Sequence, residues 1–241
     1  MLSIVVPAYN EGEHIYDNLM IIDKALKAFC SDYEIIAVND GSKDNTGEEI
    51  ARAAADFPAI KDFGYETNRG KGGAVSWGAI NSKGDVVGFI DADLDLSPSL
   101  IPGYVEAYVY AGADVVIGSK MHKASKLEYP FKRKVVSFCY FIMLKVLFGL
   151  KCHDTQTGLK LYNGELIREI APLRKIEGYA FDIELLALAS KKKAKIIEMP
   201  VVLNYSRGES FGRIKFKDVW KMFTDTWKIW WNLRIRKTYF K

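Results

Sequence analysis

From residue 3 to residue 118 one unit recurs: a short apolar, β-branched run, a polar loop, then an amphipathic stretch. The runs are SIVVPA (3–8), EIIAV (34–38), VVGFI (86–90) and residues 115–118, with residues 60–65 a weaker strand pattern between the second and third. Between the first two, residues 14–29 carry Ile15, Leu19, Ile22, Leu26 and Phe29 at helical spacing, and 46–55, 73–81 and 99–111 read as further helices. Strands this short and continuously apolar have both faces covered, and helices between them supply the cover. The alternation predicts βαβ units and an α/β fold whose sheet is largely parallel.

The rhythm changes after residue 120. A long helix is expected over 131–150, followed by the polar turn Asp154-Thr155-Gln156-Thr157-Gly158 and a short strand at 159–162. Residues 181–190 read as helix, 195–204 as strand, 207–212 as a Gly/Ser loop and 215–233 as a basic helix. With no internal repeat or linker, the chain reads as one domain over 1–212 with an amphipathic appendage at 213–241.

Charge supports that division. The net charge is +4, but residues 213–241 hold nine Lys or Arg against Asp218 and Asp225, a net of +7, which leaves the body at −3. A basic tail on an acidic body predicts an anionic surface as partner. Three cysteines without C-x-x-C and three scattered histidines argue against a disulfide framework, a zinc-thiolate site or a His-rich metal site. Met1 runs straight into the first apolar stretch, so no signal peptide is expected. The longest apolar stretch, residues 135–150, includes Lys145 and falls short of the roughly 20 residues of a spanning helix. The expectation is a soluble or membrane-peripheral protein.

The loops at the strand ends carry the chemistry. Asp91-Ala92-Asp93-Leu94-Asp95 follows VVGFI at the carboxyl end of a strand, where parallel sheets bind ligands. In an extended segment Asp91, Asp93 and Asp95 would point the same way. Three such carboxylates repel unless a cation lies among them, and hard oxygen ligands suit Mg²⁺ or Mn²⁺ bridging to phosphates. Residues 39–46 (NDGSKDNT) and 7–11 (PAYNE) occupy the same topological position after their strands. Three successive polar strand ends describe a nucleotide cleft, although Ser42 or Asp44 could equally cap a helix. Asn68-Arg69-Gly70-Lys71-Gly72-Gly73 fits neither a P-loop nor a dinucleotide fingerprint, because Lys71 precedes Gly and position 75 is Val. It reads as a helix start able to receive an anion, or as a plain loop.

VPAYNE (6–11), NDGSKDNT (39–46), the 68–75 segment and DAD (91–93), in this order, resemble glycosyltransferase family 2 and its GT-A fold. IGSK (117–120), DTQTG (154–158) and YAFDIELL (179–186) resemble its polyprenyl-phosphate branch, the dolichyl-phosphate glucose and mannose synthases. The likeness covers about residues 2–210 and implies a nucleotide-sugar donor, a divalent cation on DxD and a lipid-phosphate acceptor. It implies that Pro7, Tyr9 and Glu11 line the nucleoside pocket, that Asp40 contacts the base, and that Lys71, Asp91, Ala92 and Asp93 complete the nucleotide site. Asp91 and Asp93 would hold the metal, with Asp95 where mannose synthases often have Gln. Lys120 and Arg207 would neutralise the leaving phosphate, and Asp182 stands where many members place a base. Ser210 and Arg213 would meet the acceptor phosphate, with Phe211 in place of the family's Lys.

A phosphomonoester acceptor, with a second pKa of about 6, needs no general base, so Asp182 could instead position the acceptor or a cation, or simply favour a helix N-terminus. Phe216, Val219, Trp220, Phe223, Trp227, Trp230 and Trp231 recur as one aromatic stripe with basic residues largely off it. That is the pattern of an interfacial helix, and residues 135–150 read as a second one. The functional expectation is inverting hexose transfer, from UDP-glucose first and GDP-mannose as the alternative, to dolichyl or polyprenyl phosphate. The place expected is the cytoplasmic face of a membrane, with no nucleic-acid partner. A non-enzymatic lipid adaptor is the reading from a different class.

Overall fold

The computed structural model describes residues 1–125, 131–202 and 216–240; for 131–137, 139 and 216–219 it describes the backbone alone. Among the described residues seven strands form one sheet: β1 (Leu2–Ala8), β2 (Tyr33–Asp40), β3 (Ile60–Tyr65), β4 (Val86–Ile90), β5 (Val115–Ser119), β6 (Leu159–Asn163) and β7 (Ile196–Pro200). Their order is β3-β2-β1-β4-β6-β5-β7. Every pairing is parallel except those of β6, which runs antiparallel to β4 and β5. The mostly parallel α/β sheet is therefore as expected, with one reversed strand. Nothing in the local pattern of 159–162 distinguishes the two directions.

The helices are α1 (Ile15–Lys27), α2 (Thr46–Asp56), α3 (Gly70–Asn81), α4 (Ile101–Ala111), α5 (Phe131–Phe148), α6 (Gly164–Ile170), α7 (Phe181–Lys191) and α8 (Phe216–Trp230), the last continued by a π turn over Trp231–Ile235. α1 buries Ile15, Leu19, Ile22 and Leu26, the stripe read from the sequence. Apolar side chains fall into two clusters. One gathers α1, α2 and α4 side chains with Ile4, Val6 and Ile35. The other gathers α3, α5, α6 and α7 side chains with Val5, Ile36 and Val38. Adjacent residues of β1 and β2 thus feed opposite clusters, as the two-residue period of a strand requires, and each buried Leu or Ile contributes about 1.5–3 kcal/mol.

The C-terminal stretch packs on the body of the fold. Ile229, Leu233 and Tyr239 are buried in the same cluster as α7, and Tyr140 on α5 bonds to Thr226 on α8 at 2.8 Å. Asp225 is buried between Lys221 and Lys228, 3.1 Å from each. The aromatic stripe is split. Trp220, Phe223, Trp227 and Trp231 are exposed, whereas Trp230 packs against the core. Among the described residues no helix is long and apolar enough to cross a membrane.

Candidate active site

Strand order decides where a ligand can sit. The chain runs outward from β1 through β2 to β3, then returns to place β4 on the other side of β1. The connections after β1 and β4 therefore leave in opposite directions, and a crevice opens between them at the carboxyl ends of those strands. A cleft of about 370 Å³ lies there. Pro7, Tyr9, Glu11, Asp40, Lys71, Asp91, Ala92 and Asp93, the whole nucleotide set expected from sequence, line it together with Ala8, Asn68 and Gly70.

Hydrogen bonds lace the loops around the cleft into one wall. Asn10 N donates to Ser42 Oγ at 3.0 Å, Lys43 N to Asn10 Oδ1 at 2.9 Å, Glu11 N to Thr46 Oγ1 at 2.9 Å and Gly12 N to Asp44 Oδ2 at 3.1 Å. Asn10 holds a φ of 55°, a left-handed conformation that asparagine tolerates better than most residues. Ser42 and Asp44 thus serve the β1 loop, and Asp44 Oδ1 also receives Thr46 N at 3.1 Å at the start of α2. Asp40 ties two segments together. Its carboxylate accepts Tyr65 Oη at 2.7 Å, Asn68 Nδ2 at 3.0 Å and Arg69 N at 2.8 Å, which pins the Gly-rich loop to the end of β2. A carboxylate has about four acceptor positions, so one remains for a ligand N–H. Tyr9 is 44% exposed at the rim, where an aromatic ring can stack on a ligand.

The acidic cluster does not continue as an extended strand. β4 stops at Ile90, and Leu94 N donates to Asp91 O at 3.2 Å, closing a turn with Leu94 at φ 52°. A branched side chain there costs about 1–3 kcal/mol, the kind of strain kept at functional sites. Asn18, buried on α1, holds the turn by donating to Ala92 O at 2.7 Å. The expected convergence of Asp91, Asp93 and Asp95 is corrected accordingly. Asp91 and Asp93 reach the cleft, while Asp95 is absent from its lining and gives its N–H to Asp93 Oδ1 at 3.2 Å. Among the described residues no three acidic, His or Cys side chains form a complete cation cage. Two carboxylates do fit a cation that takes its other oxygens from a diphosphate. Burial first, then the charge of Asp91, pushes the Asp93 carboxyl above its ordinary 3.8, the crowding a divalent ion relieves.

Behind the cleft runs a chain of alternating charges. Lys71, on the first turn of α3, pairs with Asp91 Oδ1. Burial pulls its ammonium down, but Asp91, Asp182 and Asp93 outweigh that and hold it above its usual value. Asp182, on the first turn of α7, is buried and paired at 2.7 Å with Lys160. Lys160 is fully buried on β6, and its Nζ also donates to Thr157 O at 2.6 Å. Burial raises the Asp182 carboxyl, against the pull of Lys160 and Lys71. Gly158, the last residue of DTQTG, packs flat on Asp91: a Cβ there would lie 2.3 Å from Oδ2 and 2.7 Å from Cγ. Gly70, at φ 72°, and Gly72 likewise let α3 close on Glu177 O and Phe181, each 2.6 Å from the Cβ they lack. The Gly-rich stretch is thus a close-packing device as well as a helix start.

The model of the glycosyl transferase family 2 matches residues 3–171. The chain belongs to that family. Among curated relatives, a dolichyl-phosphate beta-glucosyltransferase of Trichomonas vaginalis is 32% identical over 92% of this chain and 68% of its own length. The dolichyl-phosphate beta-glucosyltransferase of Saccharomyces cerevisiae is 32% identical over 83% of this chain and 66% of its own. A dolichol-phosphate mannosyltransferase of Pyrococcus furiosus is 29% identical over 95% and 63%. The chain thus spans about two thirds of the length of these relatives. The fold matches glucosyl-3-phosphoglycerate synthase of Mycobacterium tuberculosis, solved with Mn²⁺, UDP and glucosyl-3-phosphoglycerate. The TM-score is 0.65 at 20% identity, over 96% of this chain and 79% of that one. The likeness establishes the GT-A architecture.

Two further expected residues of this glycosyltransferase, Asp182 and Lys120, are absent from the cleft lining. Asp182 is buried in its pair with Lys160, and its charge acts on Lys71, which does line the cleft. Lys120 follows β5, its N–H held by Asp154 Oδ2 at 3.0 Å, and its side chain is not among those lining the cleft. Arg207, Ser210 and Arg213 lie outside the described residues. Sequence reasoning missed Lys160 and Asn18. A lysine between two apolar strand positions in GLKLYN is the one signal that pointed to Lys160. Asn18 carried none, because its helical neighbours do not reveal that Ala92 O lies opposite.

Proposed function

We propose that this glycosyltransferase moves a hexose, with inversion, from a nucleotide sugar to dolichyl or polyprenyl phosphate, and that UDP-glucose is its donor. The observation that carries the acceptor is the burial of Asp182 against Lys160. A hydroxyl acceptor would need an exposed base to take its proton. A phosphate oxygen, mostly dianionic above a second pKa of about 6, attacks without one. The names of the curated relatives support the same acceptor, and most of the better-matched ones support glucose. Tyr9 and Asp40 would hold the base, and Asp91 and Asp93 would hold Mg²⁺ or Mn²⁺ on the diphosphate. When bound, that cation supplies the positive charge that stabilises the departing nucleoside diphosphate. Lys71 adds a second charge from the helix start, and Lys120 and Arg207 are assigned to the same leaving group.

The acceptor is membrane-borne, and two helices offer the contact. α8 exposes Trp220, Phe223, Trp227 and Trp231, and α5, tied to it through Tyr140 and Thr226, exposes Phe138, Ile142 and Val146. Tryptophan beside lysine and arginine suits an interfacial position on an anionic leaflet, which supports a peripheral place on the cytoplasmic face of a membrane. Ser210 and Arg213 are assigned to the acceptor phosphate.

The test is a panel of UDP-glucose, GDP-mannose, UDP-N-acetylglucosamine and UDP-galactose against a short polyprenyl phosphate and the matching free polyprenol, with Mg²⁺ or Mn²⁺. Glucosyl transfer to the phosphate and none to the alcohol is expected. Transfer from GDP-mannose alone would move the donor assignment. Turnover on the free alcohol at a comparable rate would overturn the acceptor assignment.

A further inference from the structure

Lys71 and the walls around Asp91 carry a consequence for how cation and nucleotide enter, resting on the reading of Asp91 as a cation ligand. Asp91 Oδ1 has no surface left to solvent, and the ammonium of Lys71 is on it. Asp91 Oδ2 faces Gly158, so close that a Cβ there would sit 2.3 Å away. Oδ1 is capped by a charge and Oδ2 is crowded by main chain on one side, while 34% of the Asp91 side chain stays open, so a divalent ion that takes Asp91 meets the ammonium of Lys71 on the same carboxylate. Asp182, the other carboxylate whose charge acts strongly on Lys71, is already held by Lys160 at 2.7 Å. Lys71 lines the cleft, and a nucleotide's diphosphate is an anion that takes over its ammonium there.

We infer that Lys71 is the resident counter-ion of Asp91, exchanged for the divalent cation as a nucleoside diphosphate takes the ammonium over. Cation and nucleotide are then coupled through one side chain: each alone must displace or leave unpaired a charge that the other would satisfy. Such coupling is reciprocal, so UDP tightens the cation by the factor by which the cation tightens UDP.

The experiment follows free Mn²⁺ by electron paramagnetic resonance during titration of the full chain, with and without UDP. The variants are Lys71→Met, Lys71→Gln, Lys71→Arg and Asp91→Asn. In Lys71→Met and Lys71→Gln, Mn²⁺ alone should bind about tenfold more tightly than in the unaltered protein, and the enhancement by UDP should shrink by a similar factor. Lys71→Arg keeps the charge and should keep the weak binding of Mn²⁺ alone. Mn²⁺ affinity that is unchanged or lower in both neutral variants overturns the exchange. Asp91→Asn separates the two claims. If it binds Mn²⁺ with UDP as the unaltered protein does, the cation site itself has been misplaced; if it abolishes binding while the neutral Lys71 variants fail to tighten it, only the exchange is wrong.

Discussion

Gly158→Ala tests how closely the loop after α5 governs the acidic turn after β4. The new methyl would lie 2.3 Å from Asp91 Oδ2 and 2.7 Å from Asp91 Cγ, where ordinary contact begins at 3.4 Å. The carboxylate or the loop must therefore move by about 1 Å. The loop has little freedom, because Lys160 Nζ is bonded to Thr157 O at 2.6 Å beside it and Asp154 is bonded to Lys120 N at 3.0 Å. Overpacking of this kind costs about 1–3 kcal/mol of stability. A displacement of about 1 Å in a group that orients the reacting centre costs on the order of 100-fold in turnover. The assay is turnover and Mn²⁺ affinity in the presence of UDP, with thermal unfolding measured alongside. Gly103→Ala is the control: nothing lies within 4 Å of its added Cβ on α4, and replacing a helical glycine should stabilise by about 1 kcal/mol without touching activity. If Gly158→Ala is folded and turns over at the original rate with the original Mn²⁺ affinity, Asp91 does not depend on its contact with Gly158.

Three further outcomes are expected. Lys160→Met leaves Asp182 buried without its nearest partner and should cost about 3–5 kcal/mol in urea unfolding, while Lys160→Met combined with Asp182→Leu should cost less than Lys160→Met alone. Additive losses in that cycle would mean that the two side chains do not act as a pair. Burial raises the Glu184 carboxyl above its ordinary 4.5, against hydrogen bonds from Tyr239 Oη, Ile176 N and Lys175 N. The folded state therefore holds that proton more tightly than the unfolded state, so stability falls as pH rises from about 4.5 through the raised value. Glu184→Gln should flatten that slope above pH 4.5, and an unchanged slope would remove Glu184 from its origin. Trp227→Ser and Trp231→Ser change side chains that are 51% and 45% exposed, so unfolding temperature should hold while co-sedimentation with anionic liposomes weakens about tenfold for each. Undiminished liposome binding in the double variant would exclude that face as the membrane contact.

The sequence alone determined the features that depend on neighbours in the chain. Strand bounds such as Val86–Ile90 were legible because a buried strand is short, apolar and β-branched between polar loops. The eight expected cleft residues were legible because they lie in motifs of the family, seven of them at strand ends that a parallel sheet turns toward a ligand. The order of DxD and its companion motifs gave the family for the same reason. What folding alone decided concerns which element each face meets. The short helix Gly164–Ile170 and the reversal of β6 follow from packing against β4 and β5, which no local period encodes. The turn at Leu94 removed Asp95 from a convergence that an extended segment would have produced. Asp182 looked like a helix-start carboxylate available to substrate until Lys160, twenty-two residues earlier, was brought to 2.7 Å from it. Trp230 and Trp231 are adjacent in a single aromatic stripe, yet one faces the core and the other solvent. Periodicity places a side chain on a face of its own helix or strand; the charge it pairs with, and whether water reaches it, are set by chain segments far away in sequence.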